Sequence, residues 1–214
     1  MPNFGVRENG FDFPNWFPPG TPIFEIATPF GTIPVGDASY GLCGGMVFAA
    51  LDFYHRGIGE LPKTPEPALR RYFARRLVDS WNLPFGGVRY YAWQMRRGGL
   101  LRKTIANEWP RIRARLQAGV PVALGLVKAR GRRLRNLSQN HQVLAYGYDF
   151  DDTEGRVTLR IYDPNYAGDE TATLSFHLRH AHTDGAIEHS CEGPTIRGIF
   201  LTTYRKPVGL FRLQ

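Results

Sequence analysis

The chain has two cysteines, and one of them, Cys43, stands in the stretch DASYGLCGGMVFAALDFYHRG that runs from Asp37 to Gly57. Glycines flank it at Gly41, Gly44 and Gly45, and an apolar run from Met46 to Tyr54 follows. A thiol at the start of a helix faces unpaired backbone N–H groups and the positive end of the helix dipole, which favour thiolate. The same amides can bind an oxyanion during acyl transfer. Gly44 and Gly45 propagate a helix poorly, and their lack of side chains would let a substrate backbone approach.

A thiolate needs a base or cationic partner, and two further residues supply one. His141 opens the apolar stretch HQVLAYGYDF, and Asp163 closes RVTLRIYD ahead of Pro164. The intervening DDTEG is a hairpin signal. Pairing about that turn sets His141 across from Asp163 at the open end, with Cβ atoms about 5 Å apart. A carboxylate beside an imidazole fixes its orientation and favours its charged form. Cys43, His141 and Asp163 are therefore the candidate catalytic residues.

The elements that must position them read as helices first and strands later. Apolar spacing predicts helices over 43–56, 64–80 and 104–119, with Pro67 in a first turn and Gly119 as a stop. The stretch 82–99 is ambiguous between loop and short helix. Strands are expected over 120–127, 141–150, 156–162, 171–176 and 196–204. That order predicts an α+β fold rather than alternating βαβ units. One domain over 1–214 is expected: an irregular, aromatic- and proline-rich arm (1–36), a helical half (37–119) and an antiparallel sheet half (120–214).

Composition bounds the remaining classes. At 214 residues and 43% hydrophobic content the chain can bury a sizeable core. It has no apolar run long enough to span a bilayer and no secretory signal pattern, so a cytoplasmic protein is expected, or one exported without a visible signal. Two cysteines allow at most one disulfide. The net charge of +8 is carried largely by arginine, including the run KARGRRLR from Lys128 to Arg135. Without a zinc finger, RRM signature or phosphate loop, a solvated basic face is the leading reading and nucleic-acid binding the minority one. The stretch HLRHAHTDGAIEHSC fits no zinc spacing and reads as a polar loop beside the site, with Cys191 a free or buried thiol. No cofactor is expected.

The segments YGLCGGMVFAALDFY, RLQAGVPVALGLV, NHQVLAYGYD and IYDPNY resemble, in that order, the elements of papain-like cysteine peptidases. The likeness is greatest to the compact bacterial type found in bacteriocin-processing transporters, and it covers roughly residues 40–60 and 115–165. The resemblance implies a papain-like fold with the nucleophile helix packed on an antiparallel sheet. It also implies Cys43 as nucleophile, His141 as base and Asp163 as its orienter. In that family a Gln six residues before the Cys donates to the oxyanion, and here that position is Asp37. An ionised carboxylate cannot donate; Ser39, Tyr40 or the Cys43 N–H would have to substitute, or Asp37 be held protonated. The expected function is a cysteine-dependent hydrolase or acyl transferase acting on a peptide or amide bond of a peptide or protein substrate. The alternative is a catalytically degenerate papain-like module that binds peptides or a protein partner.

Overall fold

The computed structural model describes residues 3–20, 22, 24–28, 31–35, 41–82, 85–180 and 187–207. Asp37, Ser39 and Tyr40 lie outside them. The fold is mixed helix and antiparallel sheet. Helices α1 (Val6–Asn9), α2 (Cys43–Tyr54), α3 (Pro67–Ser80), α4 (Phe85–Met95), α5 (Leu100–Lys103) and α6 (Trp109–Gln117) occupy most of the first half. The arm is less irregular than expected, because it carries α1 and a hairpin of β1 (Phe24–Thr28) and β2 (Gly31–Val35). The ambiguous stretch 82–99 contains helix α4.

The helix expected over 104–119 begins earlier, at Leu100, and is interrupted by a π-helical turn over Thr104–Glu108. Pro110 follows that turn directly as the second residue of α6. The widened turn points two polar side chains at a sheet edge. Thr104 Oγ1 exchanges hydrogen bonds with the backbone of Ile199, and Glu108 accepts from the Leu201 N–H.

The sheet consists of β3 (Val122–Val127), β4 (His141–Asp151), β5 (Arg156–Tyr162), β6 (Thr173–His177), β7 (Ile187–His189), β8 (Gly193–Ile196) and β9 (Gly198–Leu201). Its spatial order is β8-β7-β6-β5-β4-β3-β9, and every neighbouring pair is antiparallel. The single strand expected over 196–204 is instead two short strands at opposite ends of that order. Only Arg197 separates them, so the sheet must curl until its edges meet. The buried Arg197 guanidinium holds the crossing by donating to the backbone carbonyls of Ala129, Arg96 and Gln94.

Strand alternation sends side chains to two large cores, and Val127 and Phe200 join a smaller cluster with Tyr90, Trp93 and Leu100. Ala123, Leu144 and Tyr162 pack with α2, α3 and the arm's Phe4, Phe11, Phe13 and Phe17. Val122, Leu124, Val143 and Ala145 pack with Trp109, Ile112 and Leu116 on the other side. Helix α2 is buried at every position after Cys43, and its Asp52 forms a buried ion pair with Arg76 of α3. The hydroxyls of Tyr72 and Tyr204 both donate to that carboxylate at 2.6 Å, which ties α2, α3 and the segment after β9 together. Among the described residues no helix is long and apolar enough to cross a membrane.

Candidate active site

Cys43 is the first residue of α2. Gly41, at φ +90°, makes the turn into the helix in a conformation that L side chains rarely adopt. The Leu42 N–H donates to Asn15 Oδ1 at 2.6 Å, so the arm grips the backbone just ahead of the thiol. The first helical bond is Met46 N–H to Leu42 O, which leaves the N–H groups of Cys43, Gly44 and Gly45 without an acceptor inside the helix. The two glycines do not open a path for substrate, contrary to the sequence expectation. A Cβ on Gly44 would lie 2.4 Å from Ser80 Oγ, and one on Gly45 would lie 2.0 Å from the Phe73 carbonyl oxygen. Their role is to let α2 and α3 touch.

His141 is the first residue of β4, and its carbonyl accepts from the Tyr90 hydroxyl at 3.2 Å. The preceding loop is pinned by Asn140, whose Oδ1 accepts from the backbone N–H groups of Lys128 and Ala129. Asp163 follows the last residue of β5 and is fully buried. The expected facing pair is corrected in one respect. Leu144 pairs with Tyr162, so Asp163 lies two positions from the residue that would face His141. The pair is diagonal across the strands, and a bulge between Ala145 and Gly147 shifts the register nearer the turn. Both side chains still share a face, and His141 Nε2 meets Asp163 Oδ1 at 2.7 Å.

With Nε2 committed to Asp163, the His141 ring also stands close enough to the Cys43 thiol to share a hydrogen bond with it. Burial pushes the Cys43 thiol up. The imidazolium of His141, its hydrogen bond and the Gln142 backbone N–H outweigh that, and the thiol falls below its ordinary value. Burial alone would lower His141, but the carboxylate of Asp163 and then the sulfur of Cys43 raise it to about 10. Asp163, disfavoured as an anion by burial, is held well below the usual carboxylate range by His141, His189 and the Asn165 N–H. All three directions favour a resting thiolate–imidazolium pair backed by a carboxylate.

One member of this cluster escaped the sequence. His189, expected in a polar loop, belongs to β7 and has no exposed surface. Its Nε2 lies 3.0 Å from Asp163 Oδ2, and its Nδ1 accepts from the Cys191 backbone N–H at 3.0 Å. Acceptance at Nδ1 places the ring proton on Nε2, aimed at Asp163. Asp163 thus receives His141 and the Asn165 N–H on one oxygen and His189 on the other. Only the strand-strand contact of β6 with β7 brings His189 here, and the histidine-rich local sequence gives no sign of it. The Cys191 thiol is free and exposed, and His182 lies outside the described residues. Asn15 was also missed. Its backbone N–H donates to the Pro164 carbonyl at 2.7 Å and its amide to Asn165 Oδ1 at 3.0 Å, so one arm residue joins the Cys43 turn to the Asp163 turn.

A cavity of about 320 Å³ opens on the thiol. Leu77, Trp81, Tyr90 and Leu137 form its apolar wall, with Cys43 and His141 among the residues lining it. Comparison of the chain with protein-family models, curated proteins and solved structures found no match. The functional reading therefore rests on this geometry.

Proposed function

We propose that the protein is a cysteine-dependent hydrolase or acyl transferase of papain-like type that acts on a peptide or amide bond. The observation that carries this reading is the buried relay from the Cys43 thiol through His141 to Asp163, opening on a cavity. The Cys43 sulfur attacks the carbonyl carbon, and the C=O electron pair moves onto oxygen. The N–H groups at the start of α2 stand nearest to that developing charge. The intermediate collapses as His141 gives its proton to the departing amine nitrogen, and the C–N bond breaks to leave a thioester. Water, or an acceptor amine in a transferase, then attacks the thioester while His141 takes its proton. The C–S bond breaks and the thiolate–imidazolium pair is restored. Asp163 holds the ring and its charge through both halves.

Asp37, in place of the donor amide that the papain-like pattern carries, favours a second reading: a peptide-binding module without turnover. Alkylation separates reactive from inert thiol. An ordinary thiol is about 0.3% ionised at pH 6. A thiolate held at that pH gains about 300-fold in reactive fraction, of which lower intrinsic nucleophilicity cancels roughly half on a logarithmic scale. Iodoacetamide at pH 6 should therefore modify Cys43 about tenfold or more faster than Cys191, and His141→Ala should abolish the difference. Equal, slow labelling of both cysteines, unchanged by His141→Ala, would overturn the reading. Reactive Cys43 with no acyl-enzyme on quenched-peptide and ubiquitin-like libraries would favour the module.

A further inference from the structure

The wall of the cavity and the longest arginine run of the chain belong to one segment. Residues Leu134–Gln139 form a short 3-10 helix that supplies Leu137 and Ser138 to the cavity, and Asn140 follows. Arg130, Arg132, Arg133 and Arg135 sit on or just before it, and all four are exposed. None of their guanidinium groups forms an ion pair among the described residues. The backbone beneath them is held in place, since Gln94 Nε2 donates to the carbonyls of Gly131 and Arg133, and the Tyr91 hydroxyl donates to that of Arg132. Leu134, 67% exposed, interrupts the charges with an apolar side chain. The segment that supplies part of the apolar cavity wall therefore also carries, on a held backbone, four arginines without an ion-pair partner among the described residues.

Resting on the hydrolase reading, we infer that the substrate is an acidic peptide segment: a large apolar residue that fills the cavity, with a run of Asp or Glu adjoining it in sequence. The reach fits. Arg135 lies two residues from Leu137 in the 3-10 helix, and Arg132 and Arg133 precede that helix, Arg133 in extended backbone. This puts all three within about 13 Å of Leu137 along the segment, a span of about four residues of extended peptide. The cavity, at about 320 Å³, is at the small end of ligand sites, which run from about 300 to 1,000 Å³. It suits a side chain better than a long acyl tail. A nucleic acid would satisfy the arginines and stack on Trp81, but it brings no acyl carbon to Cys43.

Binding to the Cys43→Ala protein tests this without turnover. The probe is a fluorescein-labelled decapeptide with a central Leu-Phe followed by three Glu, read by anisotropy at 0.15 M salt. Replacing the three Glu by Lys should weaken binding at least tenfold, and so should replacing Leu-Phe by Ser-Ser. The triple variant Arg132→Glu, Arg133→Glu, Arg135→Glu should also lose at least tenfold and prefer the Lys peptide, since exposed pairs contribute up to about fivefold each. Its circular dichroism and Tm should match the parent. Equal affinity for the Glu and Lys peptides, or no effect of the arginine changes, overturns the inference. So does tighter binding of, and displacement of the peptide by, a single-stranded oligonucleotide or anionic lipid vesicles. Fast Cys43 alkylation without peptide selectivity refutes this inference alone. Selective binding with an inert Cys43 refutes the hydrolase reading alone.

Discussion

Replacing Cys43 by alanine should change how stability depends on pH, because the charge state of the pair sets the number of protons that folding binds. In the unfolded chain His141 loses its proton near pH 6.5 and Cys43 near 8.5. In the folded protein a thiolate–imidazolium pair carries one proton between them, which it keeps until His141 titrates at about 10. Between about pH 6.5 and 8.5 the unfolded pair also carries one proton, on the thiol. The two states match there, so the pair makes no contribution to the slope. Above about 8.5 the unfolded state holds one proton fewer, and stability falls by about 1.36 kcal/mol per pH unit.

Cys43→Ala removes one titration from this scheme. His141 remains raised by Asp163, so its stabilisation is complete below the unfolded value of about 6.5 and is lost as pH rises through the folded value. The decline now starts about two units earlier. The stability of the parent minus that of the variant should therefore grow by up to about 2.7 kcal/mol between pH 6.5 and 8.5 and then level off. Removing the sulfur also relieves part of the upward push on His141, so this figure is a ceiling. Urea denaturation in half-unit pH steps gives the difference directly, and titrations elsewhere in the fold cancel in it. Parallel curves across that window would mean that Cys43 is a neutral thiol in the folded state, and the charge assignment would fail.

Three further substitutions probe the groups around the pair. His189→Ala leaves Asp163 Oδ2 buried without its donor and should cost about 1.5–3 kcal/mol in urea denaturation. It should also slow Cys43 alkylation at pH 6, while His189→Gln, which can still donate, recovers most of the rate. Asn15→Ala removes the bonds to the Leu42 N–H and to Asn165, for a loss of about 1–2 kcal/mol; a slower Cys43 should accompany it, and unchanged alkylation would leave Asn15 a merely structural clamp. Gly45→Ala sets a Cβ against the Phe73 carbonyl, and overpacking of this kind costs typically 1–3 kcal/mol, to be read as a lower Tm; an unchanged Tm would mean that α2 and α3 separate easily.

The three candidate catalytic residues were legible because each carries a local signal. A lone cysteine between glycines opens an apolar helix, a histidine opens an apolar strand, and an aspartate precedes a proline. The pairing of the last two was legible in kind but not in register: the turn is centred later than the DDTEG signal suggests, with Asp151 opposite Arg156, and the bulge at Ala145/Gly147, which returns both residues to one face, has no sequence mark strong enough to place it. His189 was illegible for a different reason. β7 has only three residues, too few for alternation to appear, and its partner Asp163 lies 26 positions away. Gly44 and Gly45 were misread because a missing side chain looks the same whether the space is kept for a ligand or for another helix. The curl that brings β8 beside β9 depends on a single crossing residue, Arg197, and short apolar runs read equally well as one strand.

The arm shows how the last ångström of the site is set. Apolar packing draws α2, β4 and the end of β5 together: Phe11 stacks edge-on to Phe73 at 4.8 Å, and its backbone N–H reaches the Tyr162 hydroxyl. Packing of that kind is tolerant, since an aromatic cluster can shift slightly at little cost. A hydrogen-bonded relay is not tolerant, because its bonds weaken steeply with distance and angle. Asn15 supplies the directional part by holding the Leu42 N–H, Asn165 and Pro164 at once. The turn that carries the thiol and the turn that carries the carboxylate are thereby fixed to one side chain rather than to each other. The arm is thus part of the site's geometry. Loosening it should misalign Cys43 before it unfolds the core.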